Sequence, residues 1–180
     1  MKRDIYIVLS QTRSVVSRMI RFATGDAYTH VSICFGEDEG VMYSFGRLFP
    51  YNPLWGGFVR ESVLFGTMKR FRDAKVAAVR IRLEESEYAN LREYVCSMYS
   101  RRRQYGYNYI GLFAAKFGVV WRWNNHYYCS EFIKELLEQF GIAEKGELSD
   151  AARPIEFLNL RRGRLVYCGS LRQFAAMQRS

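Results

Sequence analysis

The sequence predicts an α+β fold built on an antiparallel sheet, and three observations lead there. Short β-branched or alternating runs recur at Ile5 to Leu9, His30 to Phe35, Val41 to Phe45, Lys75 to Leu83 and Arg164 to Cys168. Two of these runs flank Gly36-Glu37-Asp38-Glu39-Gly40, a glycine- and acid-rich stretch suited to a hairpin loop, which makes their pairing antiparallel. Helical periodicity is confined to separate stretches and does not alternate strictly with strands as parallel βαβ units require.

Taken in order, Ile5 to Leu9 is a short buried strand, and Val15, Val16, Met19, Ile20 and Ala23 then recur at helical spacing as far as Gly25. In His30 to Phe35, alternation puts Val31, Ile33 and Phe35 on the core face and His30, Ser32 and Cys34 on the other, which is expected to look out over a surface. Symmetric closure of the hairpin about residues 36–40 places Gly46 opposite His30 and Ser44 diagonally beside it. Arg47 to Glu61, with Pro50, Pro53 and Trp55-Gly56-Gly57-Phe58, is expected to be a long loop of either functional or ordinary surface character. Tyr88, Leu91, Val95, Met98 and Tyr99 form the apolar face of a helix from about 84 to 102. Ile110 to Trp121 is nearly all apolar and too short to cross a bilayer, which predicts a buried or interfacial helix. Phe132, Ile133, Leu136, Leu137 and Phe140 occupy one stripe of a further helix that ends at Gly141.

The chain has 180 residues, 49% of them apolar, which suits one domain spanning 1–180 with a proper core. Its formal net charge is +9, but the basic residues are dispersed. The one dense run, Arg101-Arg102-Arg103, falls at the end of a helix whose first turn carries Glu84, Glu85 and Glu87, and so complements the helix dipole. No zinc-finger spacing, phosphate-binding loop, RNA-binding string or dinucleotide fingerprint is present, and no nucleic-acid partner or cofactor is expected. Cys34, Cys96, Cys129 and Cys168 are widely separated and suggest neither a disulfide framework nor a zinc cluster. His126 and Cys129 have metal-ligand spacing but lack a second pair to complete a tetrahedral set. The apolar run after Met1-Lys2-Arg3-Asp4 is too short for a secretory signal, so a reduced, cytoplasmic setting is expected.

Chemistry is expected at Cys129. It stands where the string Asn125-His126-Tyr127-Tyr128 runs into the first turn of an amphipathic helix, whose unpaired N–H groups lower a thiol's pKa and can hold an oxyanion. The same position on the apolar stripe equally allows a small core residue. Of the two histidines, His126 and His30, the strand residue His30 is the candidate general base, and Ser44 could orient its ring as the third member of a triad. The backbone N–H of Cys129 is the natural oxyanion donor, with Gln11, Tyr107 or Asn108 as side-chain candidates.

The strings Tyr28-Thr29-His30-Val31-Ser32-Ile33, Tyr43-Ser44-Phe45-Gly46-Arg47, Gly56-Gly57-Phe58-Val59, Tyr107-Asn108-Tyr109-Ile110-Gly111 and Tyr128-Cys129-Ser130-Glu131-Phe132 stand in that order. A histidine on an early hairpin followed about a hundred residues later by a cysteine at a helix start resembles the permuted branch of the papain-like NlpC/P60 superfamily. The strings are similar to small bacterial proteins of the YiiX/YycO-like type, over about 4 to 170. The resemblance implies a circularly permuted papain-like fold with the nucleophile helix packed on the antiparallel sheet. It also implies Cys129 as nucleophile and His30 as base. The third position departs from that pattern, because the group often has a carboxylate there and this chain offers Ser44. The activity implied is hydrolysis of an amide bond in a small peptide or amino-acid conjugate, including a cell-wall fragment. A lipid acyl hydrolase or acyltransferase of the same fold, or a non-catalytic binding domain with a weakened site, are the alternatives. Peripheral membrane contact is the lesser expectation, and the oligomeric state is not legible.

Overall fold

The computed structural model describes residues 1–11, 25–49, 52–115 and 117–179. Its centre is a six-stranded sheet built from β1 (Lys2–Gln11), β2 (His30–Phe35), β3 (Met42–Phe49), β4 (Asn52–Glu61), β5 (Lys75–Glu84) and β8 (Gly163–Ser170), in the order β4-β3-β2-β1-β5-β8. Every neighbouring pair is antiparallel, and with the helices described below this makes the fold α+β. A separate pair, β6 (Gly106–Tyr107) and β7 (His126–Tyr127), is parallel.

β1 lies inside the sheet and is buried on both faces, which is why its sequence is a continuous apolar run rather than an alternation. Ile5, Ile7 and Leu9 face the larger core, and Val8 faces a smaller one. Each such aliphatic side chain removed from water stabilises the fold by about 1.5–3 kcal/mol. The larger core is covered by α1 (Glu85–Ser100) and α3 (Cys129–Gln139), which contribute Tyr88, Leu91, Val95 and Met98, and Phe132, Ile133, Leu136 and Leu137. At the start of α1 the Glu87 carboxylate accepts the Glu84 N–H at 2.8 Å, satisfying one of the donors a helix start leaves open. The smaller core is covered by α4 (Leu171–Met177), with Leu171, Phe174 and Ala175. The Ser170 hydroxyl caps that helix by accepting the Gln173 N–H at 3.3 Å.

The β2–β3 hairpin closes as the turn composition predicts, with Ile33 opposite Tyr43 and Cys34 opposite Met42. Four expectations need correction or placement. In its described residues Arg47 to Glu61 is not a loop: 47–49 end β3 and 52–61 form the edge strand β4, where the missing donor of Pro53 is tolerated. The second face of β2 does not look onto solvent, because Ser32 is buried and Cys34 joins the smaller core. Ile110 to Trp121 is helical only within α2 (Tyr109–Ala115), and its large side chains are exposed, which excludes the buried alternative. The helix read over Val15 to Ala23 lies outside the described residues.

Candidate functional site

Cys129 is the first residue of α3, preceded by Tyr128 in extended conformation. Two buried polar side chains fix this helix start. Glu131 Oε2 accepts the Tyr128 N–H at 3.3 Å and a proton of the Asn108 amide at 3.4 Å. The same Asn108 amide donates to the Trp121 carbonyl at 2.8 Å, while its carbonyl oxygen accepts the Gly111 N–H at 2.7 Å. Asn108, with 0% of its surface exposed, thus joins α3 to both ends of the 109–121 excursion. Its hydrogen-bonding groups are committed to structure, so it is not available as an oxyanion donor.

α3 packs across β2 and β3, and the two strands have separated where it arrives. Their pairing covers Ile33↔Tyr43 and Cys34↔Met42. At Val31, which the same register sets opposite Phe45, side chains take over the backbone groups. The Val31 carbonyl accepts the Ser44 hydroxyl at 2.6 Å, and the Val31 N–H lies close enough to Cys129 to favour its thiolate. That N–H belongs to the peptide bond joining Val31 to His30. The thiol therefore sits in an opening of the sheet beside the backbone of the candidate base. His30, half-buried, stands at the start of β2 on the face it shares with Ser32 and Cys34. Its ring lies against Gly46, where an added Cβ would be 3.8 Å from His30 Cε1, in keeping with the expected pairing of these positions. The structure thus sets Cys129 on the larger-core side of β2 near the Val31 N–H, with the His30 side chain on the strand face it shares with Ser32 and Cys34, while the proton of Ser44 holds the Val31 carbonyl rather than the imidazole.

Electrostatics reverse one expectation. Burial pushes the Cys129 thiol above its ordinary pKa, and the N–H groups of Val31, Ser130 and Cys129 with the Ser130 hydroxyl only partly offset this. Burial, with the Arg47 guanidinium second, pulls His30 down to about 4. A helix start lowers a thiol's pKa when the thiol is partly exposed, but here Cys129 is 3% exposed and desolvation wins. The resting pair is neutral thiol and neutral imidazole.

Two further groups at the site were not singled out from sequence. Glu61 is 6% exposed, accepts the Thr67 N–H at 2.8 Å, and has its pKa raised by burial. A Cβ at Gly46 would lie 3.9 Å from its Oε2, so the carboxyl and the imidazole flank the same glycine. The one legible signal was position: Glu61 is the first acid after a stretch, 40–60, that has none. Arg47 acts electrostatically on His30, Glu61, Tyr107 and Tyr109, which places a cation among them. Tyr107 in turn is close enough to Cys129 for a thiolate to raise its pKa, and burial raises it further. It is held there by Gly56, whose missing Cβ would lie 2.6 Å from Tyr107 Cβ. Tyr107, one of the side-chain oxyanion candidates, lies within electrostatic range of the Cys129 thiol.

His126 belongs to the scaffold. Its ring stacks on Trp123 with centroids 4.2 Å apart, and Nδ1–H donates to the Asn124 carbonyl at 2.8 Å. Among the described residues, no group of three or more His, Cys, Asp or Glu side chains is arranged to hold a metal ion. Comparison of the chain with protein-family models, with curated proteins and with solved structures finds no match.

Proposed function

We propose that the protein is a Cys–His hydrolase of the permuted papain-like type, cleaving an amide bond in a small peptide or amino-acid conjugate. The observation that carries this reading is the opened β2–β3 ladder. There a helix-start cysteine lies near the N–H of the peptide that follows His30, close enough for that group to favour its thiolate. In the reaction, His30 accepts the thiol proton as the sulfur attacks the substrate carbonyl. The oxyanion is held by the Cys129 N–H, with Tyr107 as the side-chain donor. The imidazolium then gives its proton to the departing amine, and water, deprotonated by His30, releases the acid from the thioester. Arg47 acts electrostatically on the imidazole. Ser44 acts on the strand, keeping the Val31 peptide turned toward the sulfur. A panel of aminoacyl and acyl p-nitroanilides tests the reading: turnover by the native protein and none by Cys129→Ala supports it, and equal rates from both sink it.

A second reading, acyl hydrolysis or transfer on a lipid, is favoured by one observation. Exposed apolar side chains crowd the segment that leads into Cys129, including Phe113, Phe117 and Trp121. It retains the same nucleophile and base and changes the acyl donor.

A further inference from the structure

The segment between β6 and β7 leaves the body of the protein and returns to it at a fixed neck. Asn108 binds the Trp121 carbonyl and the Gly111 N–H, and the Asn108 N–H donates to the Tyr127 carbonyl at 3.1 Å. A Cβ at Gly111 would lie 2.6 Å from the Trp121 carbonyl oxygen, so the two limbs of the neck are in contact. What this neck holds is apolar and turned outward: Phe113 is 68% exposed, Phe117 65%, and Trp121 and Trp123 54% each. Phe113 and Phe117 pack edge to face with centroids 5.5 Å apart, making one knob rather than scattered side chains. The edge strand carries a further exposed aromatic, Trp55, next to Gly56, which is covered by Tyr107 and by the hydroxyl of Tyr109. An exposed apolar surface of this kind needs a partner.

Charge identifies the partner. No aspartate or glutamate occurs in residues 40–60 or 94–130, the two segments that build this end of the molecule. They carry Arg47, Arg60, Arg101, Arg102, Arg103, Lys116 and Arg122, which is seven of the net +9. Arg101 to Arg103 and Arg122 are exposed. Exposed aromatic side chains interspersed with cations, of which Arg122 also faces the Glu135 carboxylate at 3.9 Å, suit an interface whose hydrocarbon begins just below a layer of negative charge. A second copy of this chain on the same surface would set like charges face to face.

We propose that the 109–123 excursion is a peripheral docking element for anionic membrane surfaces, inserting Phe113, Phe117 and Trp121 while Arg103 and Arg122 contact headgroups. No helix among the described residues is long and apolar enough to cross a membrane, so docking is from one side. The excursion joins Tyr107 to the start of α3, and docking therefore brings the Cys129 end of that helix toward the lipid surface. If the catalytic reading holds, its substrates are amphiphiles presented by that surface. The docking itself does not rest on catalysis.

Vesicle flotation tests it, using phosphatidylcholine with about one-third phosphatidylglycerol. The native protein is expected to co-float. Phe113→Asp with Phe117→Asp should weaken partition at least about tenfold, and Arg103→Ala with Arg122→Ala roughly ten- to thirtyfold, with unchanged circular dichroism. Cys129→Ser should co-float like the native protein, so loss of the catalytic reading leaves this result untouched. The proposal is overturned if the native protein stays off these vesicles, or if the double aspartate variant binds them as well as the native protein does. It is also overturned if sedimentation shows self-association that the aspartates abolish while vesicles remain unbound, which would assign the surface to a second copy.

Discussion

The pH dependence of alkylation at Cys129 follows from the way burial acts on both partners. His30, at about 4, lies more than four pH units below even an unperturbed thiol, and Cys129 is raised above that. Moving the proton from sulfur to imidazole in the resting site therefore costs roughly 6 kcal/mol before the new charges attract. At contact distance and an effective dielectric near 20 their attraction returns about 4 kcal/mol at most. The neutral pair stays favoured by roughly 2 kcal/mol, and the thiolate–imidazolium form is limited to a few per cent. Alkylation by iodoacetamide, followed by peptide mass at each of the four cysteines, should at about pH 6 run at no more than a few per cent of its alkaline limit. His30→Gln should leave that profile nearly unchanged. A rate at about pH 6 above half the alkaline limit, reduced in His30→Gln, would show a preformed ion pair and refute this electrostatic reasoning.

Ser44→Ala removes the donor to the Val31 carbonyl and is expected to destabilise the fold by about 1–2 kcal/mol in urea titration, while lowering turnover less than Cys129→Ser does. Gly56→Ala drives a methyl to within 2.6 Å of Tyr107 Cβ, and the displaced ring should cost about 1–3 kcal/mol, read as a lower midpoint in the same titration. For His30 the folded-state pKa is depressed, to about 4. The folded protein therefore binds its proton later than the unfolded chain. Stability is complete above about pH 6.5 and falls as the pH drops toward about 4, by up to about 3 kcal/mol, and His30→Gln should remove that part of the acid slope.

Much of the framework was legible because it depends on local pattern. The helix stripes of α1 and α3, the strand alternation of β2 and the hairpin register all follow from periods of 3.6 and 2 and a symmetric turn. Where a residue's reason lies far away in sequence, local pattern misleads. Gly56 and Gly57 look like loop residues, yet Gly56 makes room for Tyr107 and Gly57 for the Tyr105 carbonyl, so an edge strand reads as a loop. At the site, the nearness of His30 to Gly46 follows from the hairpin register. The use made of Ser44 could not be read, because it depends on β3 leaving β2 at Val31. The thiol's pKa was misjudged because a helix start is visible in sequence while the depth of burial that outweighs it is not. The bond between Glu131 and Asn108, which turns Asn108 from an oxyanion candidate into a structural residue, is illegible for a related reason: it spans more than twenty residues.

The joint action of Cys129 and His30 is tested most directly by acylation with p-nitrophenyl acetate, followed by intact mass and by the burst of nitrophenol. The acetyl group is expected on Cys129, absent in Cys129→Ala, and formed about a hundredfold or more slowly in His30→Ala with the fold intact. Acetylation of Cys129 at the native rate in His30→Ala, or an adduct found instead on the exposed Cys168, would contradict it.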